Sequence, residues 1–148
     1  MTVDSILKET GQTGEEIEAL KPGQTIREAV SMLAARKIGV VLIVDEASGK
    51  PVGILSERDV VRVLGVSDAA ALDMPVSEAM TPDPVMCERT TRIDEALKKM
   101  TRKRCRHLPV LDGDKVVGVV SARDIMVYMV ESASKQERER IVAMIALA

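Results

Sequence analysis

A serine followed three residues later by an aspartate occurs twice in the chain, each time where a β-rich run passes into a helical pattern. The two copies are Ser56-Glu57-Arg58-Asp59 and Ser121-Ala122-Arg123-Asp124. Such a pair forms a capping box, which satisfies free backbone N–H groups of the helix. The same turn aims N–H groups and the positive end of the helix dipole at a phosphate, and its carboxylate can accept hydrogen bonds from two ribose hydroxyls. Arg58 and Arg123 can add charge-assisted contacts to an anion. The pattern therefore leaves two interpretations open, helix capping alone and nucleotide binding.

Residue types for catalysis or metal binding are scarce. The chain has one histidine, His107, and two cysteines, Cys87 and Cys105, which lack the spacing of metal ligands. Cys105 and His107 are two residues apart and could share one face of a strand, but a half-buried thiol beside a phosphate-facing imidazole is the simpler interpretation. We therefore expect no enzymatic activity, no metal and no required cofactor.

Composition limits the class of protein further. The 148 residues are 46% hydrophobic and 30% charged, with a net charge of −2, which is the balance of a folded globular chain. Phe and Trp are absent and Tyr128 is the only tyrosine, so aromatic platforms for stacking single-stranded bases are missing. The longest apolar run, 141–148, is too short for a bilayer, and no secretory signal opens the sequence. We expect a cytoplasmic protein without membrane contact.

The elements around the two Ser–Asp motifs form an internal repeat. Residues 28–30 recur at 95–97, an offset of 67, inside helical patterns. Two β-rich runs joined by a turn follow each helix, and the second run leads directly into the Ser–Asp motif. Upstream, residues 3–7 resemble residues 76–80. The unit is therefore lead-in, helix, strand, strand, helix, which is marginal alone and is expected to pair with its copy.

The repeat predicts four segments along the chain. They are a first repeat at 1–64, a linker at 65–74, a second repeat at 75–131 and a C-terminal helical tail at 132–148. The linker is predicted there because its residues are small and acidic and show no periodicity. The tail becomes strongly apolar near its end, and it either covers the core of its own chain or contacts another subunit.

The doubled pattern of strand, Gly-hydrophobic-hydrophobic-Ser-x-x-Asp and helix resembles the CBS domain, and two copies in one chain resemble a Bateman module. The resemblance runs from about residue 3 to residue 128. It rests on Ile38-Gly39-Val40, Val52-Gly53-Ile54-Leu55-Ser56-Glu57-Arg58-Asp59, Ala79-Met80-Thr81 and Arg106-His107-Leu108-Pro109-Val110. The family implies an α/β (α+β) fold in which two helix-strand-strand-helix repeats pair through their sheets about a pseudo-twofold axis.

The resemblance also implies an adenine-nucleotide sensor with two clefts between the repeats. The ribose carboxylate corresponds to Asp59 in one cleft and Asp124 in the other, with Ser56 and Ser121 beside the phosphate or ribose. One threonine would begin the first helix of each repeat. Adenine would lie between aliphatic side chains at the first strands. The implied ligand-binding residues are Thr25, Ile38, Gly39, Val40, Ser56, Arg58, Asp59, Thr91, Cys105, Arg106, His107, Leu108, Pro109, Ser121, Arg123 and Asp124.

The two clefts are not expected to be equal. Arg106 and His107 match a basic pair that reaches phosphates in some family members, whereas the first repeat has neutral residues at that place. Glu57 stands where the second repeat has Ala122, and an acid beside a phosphate lowers affinity. Which cleft is the weaker stays open, because phosphates can be contacted across the pseudo-twofold axis.

These expectations combine into a regulatory module that binds AMP, ADP or ATP, with NAD and S-adenosylmethionine as further adenosine-containing candidates. Its ligand would change a homodimer or the contact with a separate protein partner. One alternative is an interaction or dimerisation module that is independent of nucleotide. A less favoured alternative is a binder of single-stranded nucleic acid through the basic segment 98–106, which fits poorly with the net charge and the missing aromatic residues.

Overall fold

The computed structural model describes residues 1–14 and 17–147; residues 15 and 16, within the predicted first repeat, and residue 148, at the end of the predicted tail, lie outside the described residues. The helices are α1 Val3–Glu9, α2 Ile26–Arg36, α3 Glu57–Ser67, α4 Ile93–Lys103, α5 Ala122–Ser132 and α6 Lys135–Leu147. The strands are β1 Ala19–Leu20, β2 Val40–Val44, β3 Pro51–Ser56, β4 Thr81–Pro82, β5 Cys87–Glu88, β6 His107–Asp112 and β7 Lys115–Ser121. Two short 3₁₀ helices lie at Asp68–Asp73 and Val76–Glu78.

Two sheets form around equivalent antiparallel hairpins. The first sheet has the order β1-β2-β3-β4 and the second the order β5-β6-β7. Val40 is opposite Ser56 in one hairpin and His107 is opposite Ser121 in the other, so the start of the first strand lies beside the Ser–Asp motif in both. β1 and β5 each add a parallel edge strand. The predicted mixed fold of two strand–strand–helix repeats is confirmed.

The two sheets face one another. Val41 and Leu108 point into the cores beneath the helices, while Leu42 and Pro109, on the opposite faces of the same strands, are also buried. A Cβ placed on Gly39 would lie 3.8 Å from Nε2 of His107, which brings the starts of the two hairpins together. The repeats therefore meet along a seam on which the Ser–Asp turns lie.

Each repeat is completed by a segment that precedes the other repeat in the chain. α1 packs into the second core, with its first N–H donating to the carbonyl of Thr91 at 2.9 Å. The 3₁₀ helix Val76–Glu78 packs into the first core, with the Val76 N–H donating to the carbonyl of Gln24 at 2.7 Å. The lead-in 3–7, predicted to begin the first repeat, therefore lies in space with the second. This exchange holds the two repeats together.

The exchanged segments approach the sheets at glycines. A Cβ on Gly118 would lie 2.6 Å from Oε1 of Gln12 and 2.9 Å from Cδ2 of Leu7. The Gln12 side chain accepts from the Val119 N–H at 2.8 Å and donates to the Val119 carbonyl at 3.0 Å. In the first repeat a Cβ on Gly53 would collide with Met80 of the other lead-in. A side chain at either position would displace a lead-in.

The segment predicted as a linker, 65–74, is folded. α3 continues to Ser67, and a 3₁₀ helix follows at Asp68–Asp73. Ala71 of this helix is fully buried and Leu72 packs against the first core. The small residues of this segment allow close packing, and its 3₁₀ helix does not show the 3.6-residue period of an α-helix.

The predicted C-terminal helix is present as α6, and it adds little to the cores. Arg138 fixes its start by donating to the carbonyls of Glu131 and Ala133 at 2.9 and 3.0 Å. Val142 is 59% exposed and Leu147 is 90% exposed. Within the described part of α6, no residue belongs to either core. Among residues 1–14 and 17–147, no helix is long and apolar enough to cross a membrane.

The close approach of Gln12 and Leu7 to Gly118 makes a stability prediction. Gly118→Ala should lower the free energy of unfolding by about 1–3 kcal/mol, because the added methyl overpacks the contact with the lead-in. Gly65→Ala is the matched control, since a Cβ there meets open space in the last turn of α3 and should raise stability by about 0.5–1 kcal/mol. Urea unfolding measures both. Equal stability of Gly118→Ala and the wild type would contradict the packing described.

Candidate functional site

The two Ser–Asp turns are full capping boxes. The Asp59 N–H donates to Oγ of Ser56 at 3.2 Å, and Oδ2 of Asp59 accepts from the Ser56 N–H at 2.8 Å. The same pair of bonds at Ser121 and Asp124 measures 3.0 and 2.9 Å. Each serine hydroxyl also donates to the aspartate, at 3.0 and 2.7 Å respectively. The capping interpretation therefore holds at both turns, and it uses only one oxygen of each carboxylate.

The second carboxylate oxygen distinguishes the two turns. Oδ1 of Asp59 accepts from Nη2 of Arg62 at 2.8 Å, and Asp59 is only 5% exposed. Among the described residues, no hydrogen bond reaches Oδ1 of Asp124, and this side chain is half-buried. Arg62 was not among the site residues predicted from the sequence. The signal was an arginine one turn after the aspartate, at a spacing that allows side chains of one helix to pair.

A backbone hydrogen bond joins each turn to the start of the first strand. The Glu57 N–H donates to the Gly39 carbonyl at 3.1 Å, and the Ala122 N–H donates to the Arg106 carbonyl at 2.8 Å. The beginning of α3 or α5 is thus fixed beside the residues predicted to surround adenine. Of these, Ile38, Gly39, Val40 and Cys105 are half-buried, and Arg106 is exposed.

His107 connects the two repeats. Its imidazole lies against Gly39 of the other repeat, and the carboxylates of Glu57 and Asp124 both act on its charge. Burial of the ring lowers the pKa of His107, Arg106 lowers it further, and the two carboxylates oppose the shift. Residues of both repeats therefore converge at this point: the imidazole of His107, one free oxygen of the Asp124 carboxylate and the neighbouring guanidinium of Arg106.

Two predicted site residues have their side chains in or between the sheets. Leu108 is fully buried in the second core, and Pro109 is buried on the opposite face of β6. Neither side chain is exposed at the turn, so these residues could contact a ligand only through their backbone atoms or from between the two sheets.

The two threonines are not equivalent, which corrects the prediction that both open a first helix. Thr25 is the N-cap of α2 and forms a capping box with Glu28. The N-cap of α4 is Arg92, one residue after Thr91. Thr91 is buried, and its hydroxyl oxygen accepts from the Glu88 N–H at 2.9 Å. Its side chain therefore stabilises a turn rather than the start of a helix.

The basic residues differ in how they are used. Arg58 and Arg123 are exposed at the first turns of α3 and α5, and neither forms an ion pair with another described residue. In the basic segment 98–106, the Lys99 ammonium donates to the Met86 carbonyl at 3.2 Å. Lys98 and the four residues 101–104 are exposed. This segment is a solvated surface with one cation held against the backbone.

The thiols are poor candidates for chemistry. Burial raises the pKa of Cys87 to about 11 and also raises the pKa of Cys105. Both cysteines are unpaired. Over the described part of the chain, no group of three His, Cys, Asp or Glu side chains could hold a metal ion. The arrangement at the turns offers hydrogen bonds and charge to a bound molecule, and the two thiols add no ready nucleophile.

Two open grooves on the surface lie away from the turns. One runs along the junction of α5 and α6 and includes Met1, Met129 and Ile141. The other lies where α1 meets the second repeat and includes Asp4 and Arg89, which form an ion pair at 2.6 Å. The residues that line the second groove are polar or charged, and both members of this ion pair are among them.

Comparison with known proteins identifies a family and several solved structures of similar fold. The family model described as the CBS domain matches residues 14–66 and again 76–131. An uncharacterized 17.7 kDa protein of Acidianus ambivalens is 32% identical over 111 residues, which cover 74% of this chain. The chain spans 65% of that relative's length and 42% of the length of a 33.4 kDa relative from Thermofilum pendens.

Solved structures match over most of the chain. The CBS-domain containing protein ATU1752 of Agrobacterium tumefaciens superimposes with a TM-score of 0.79 at 32% identity, covering 86% of this chain and 98% of that one. The CBS domain protein PAE2072 of Pyrobaculum aerophilum, complexed with AMP, gives 0.74 at 26%, covering 89% and 100%. The CBS domain pair of MJ0100, with 5′-methylthioadenosine and S-adenosyl-L-methionine, gives 0.74 at 25%, covering 90% and 98%.

The environment of His107 makes a prediction about its titration. We expect its pKa in the folded chain to lie below about 6.5, the usual value for histidine, and to fall further in Asp124→Asn, which removes a nearby negative charge. Since folding favours the neutral ring, its contribution to stability is present above about pH 6.5 and is lost as the pH falls through the folded pKa.

Nuclear magnetic resonance measures this titration without ambiguity, because His107 is the only histidine. Asp114→Asn, on the exposed turn between β6 and β7, is the control and should leave the pKa unchanged. A folded-state pKa at or above that of an unfolded peptide would contradict the burial described.

Proposed function

The chain belongs to the CBS-domain family and carries two CBS repeats, and on this basis we propose that it is a regulatory module that binds an adenosine-containing ligand at the seam between them. The observation that carries the proposal is the Asp124 carboxylate. One of its oxygens completes the helix cap, and the other is left available next to the cross-repeat residue His107. A ribose hydroxyl is the complement of such an oxygen.

Each part of a nucleotide has a complement near Asp124. The ribose would donate to Oδ1 of this residue. Phosphates would meet the guanidinium groups of Arg106 and Arg123 and the imidazole of His107. The adenine would lie against the half-buried aliphatic side chains at the start of β2, including Ile38. This mode of binding requires no aromatic stacking, in keeping with a chain that lacks Phe and Trp.

The charge of the site favours nucleotides over other adenosine compounds. The relatives described above are complexed with AMP in one case and with 5′-methylthioadenosine and S-adenosyl-L-methionine in another, which share adenosine. In this chain Arg106 and Arg123 lie beside the turn. These cations attract phosphate and repel a sulfonium. We therefore place AMP, ADP and ATP ahead of S-adenosylmethionine; NAD also carries phosphates and stays a candidate.

The proposed role is regulation rather than catalysis. The family is regulatory, and burial raises the pKa of both thiols, which disfavours the nucleophilic thiolate. A ligand at the seam would contact both repeats at once, so binding would favour one relative arrangement of the repeats. A separate protein that contacts both repeats would then detect the ligand. The cytoplasm, where adenine nucleotides are abundant and thiols stay reduced, is the compartment we propose.

Substitution of Asp124 tests the ligand site. Asp124→Ala should weaken the binding of AMP or ATP by about 1–3 kcal/mol, roughly 5- to 150-fold in Kd, because the ribose hydroxyls lose a charged acceptor. Asp124→Asn should weaken it as well while keeping the size of the side chain, and Asp114→Ala should not. Thermal shift with AMP, ADP, ATP, NAD and S-adenosylmethionine identifies the ligand first.

Unchanged affinity in both Asp59→Ala and Asp124→Ala would return the motif to helix capping alone. A single-stranded oligonucleotide added as a sixth ligand tests the basic segment 98–106 at the same time. A salt-sensitive shift with the oligonucleotide and none with any adenosine compound would favour the nucleic-acid alternative.

We also propose that the module is a homodimer that pairs through its outer helices. Met126, Val127 and Met129 of α5 are exposed, as is Val142 of α6. Arg138 holds α6 against the end of α5, so these apolar residues lie on two helices in a fixed arrangement. Met129 also lines an open groove at the junction of the two helices, together with Ile141 and Met1. A second copy of the chain would cover this surface with the same residues.

Analytical ultracentrifugation checks the dimer. The wild type should sediment as a dimer, and Met126→Glu and Val142→Glu should each increase the monomer fraction, because a buried carboxylate at the contact is costly. Ala47→Glu, in the exposed turn between β2 and β3, should leave the dimer unchanged. A wild type that is monomeric at every concentration tested would contradict the proposal.

A further inference from the structure

The two Ser–Asp turns share the same cap but differ in what holds the second carboxylate oxygen. At Asp59 this oxygen accepts from Arg62 at 2.8 Å, and the aspartate is almost fully buried. At Asp124 no described residue donates to it. A ribose could therefore reach Asp124 directly, whereas at Asp59 it would first have to displace a guanidinium.

The difference between the two turns comes from one pair of equivalent positions, three residues after each aspartate. Arg62 follows Asp59 by three residues on α3, and the residue three after Asp124 on α5 is Val127, which has no donor and is exposed. Only the first repeat can therefore form an ion pair between its aspartate and the residue three positions later.

Arg62 is also held from a second side. Nη2 of Arg62, which donates to Asp59, lies 3.3 Å from the carbonyl oxygen of Ala79 and donates to it as well. Ala79 is buried in the first core, at the end of the exchanged lead-in. The guanidinium therefore bridges α3 and the lead-in and is held at two points.

The exchange of partners at Asp59 is unfavourable for a ribose. A guanidinium–carboxylate hydrogen bond is charge-assisted, whereas a ribose hydroxyl is a neutral donor. Displacing Arg62 would also leave the Ala79 carbonyl without this donor.

We propose that Arg62 is a built-in latch that closes the first cleft to ribose, so that each chain binds a single nucleotide at Asp124. This inference rests on the proposed function and deepens it, because it assigns nucleotide binding to the cleft at Asp124 and names Arg62 as the residue that prevents binding in the other cleft. Arg62 then determines the stoichiometry of the sensor.

Calorimetric titration with AMP tests the latch. The wild type should bind one AMP per chain, and Asp124→Ala should weaken that site. Arg62→Val, which copies Val127, should bind two. Arg62→Gln removes the charge but keeps an amide donor for Ala79, and it should also bind two even if the valine variant does not fold.

The control is Arg27→Val, which removes an exposed arginine of α2 that is paired with Asp73, and it should stay at one site. Two equivalent sites in the wild type would overturn the latch and leave the proposed function intact. One site in an Arg62 variant with wild-type circular dichroism would do the same. An absence of binding heat for AMP, ATP, NAD and S-adenosylmethionine would overturn the proposed function, and the latch with it.

Discussion

An aspartate carboxylate at the start of a helix is the feature on which the rest of the molecule depends. At each turn one oxygen of the aspartate accepts from the serine N–H and hydroxyl, which fixes the first turn of the helix. Because one oxygen suffices for the cap, the other can act elsewhere. In the first repeat that oxygen pairs with Arg62, and in the second it stays available. The same aspartate side chain thus caps the helix and contributes to the proposed ligand site.

The exchange of lead-ins makes this turn a joint property of two repeats. α1 completes the second core and Val76–Glu78 completes the first, so separating the repeats would open both cores. His107 reaches Gly39 across the seam, and carboxylates of both repeats influence its charge. A molecule bound at Asp124 would therefore meet groups from both repeats. A small change in geometry at the seam would act directly on the outer helix α5, since α5 begins at this turn.

Much of this could be predicted from local sequence, and the remainder depends on long-range packing. The doubled Ser–Asp motif predicted both hairpins and both caps, because strands, turns and caps have local signals. The exchange of lead-ins has none: residues 3–7 resemble 76–80 but do not reveal which core they join. Thr91 was assigned from the resemblance to the family, although the offset of 67 aligns Arg92 with Thr25. Arg62 was overlooked because an arginine on an exposed helix is usually solvated, and only the geometry shows its pairing.

A crystal structure of the chain with AMP would test the central claim most directly. The account predicts one AMP per chain, with a ribose hydroxyl within hydrogen-bond distance of Oδ1 of Asp124 and the phosphate near Arg106 or Arg123. It also predicts that Arg62 still contacts Asp59 in the same crystal. AMP bound with its ribose at Asp59, or bound away from both turns, would contradict it.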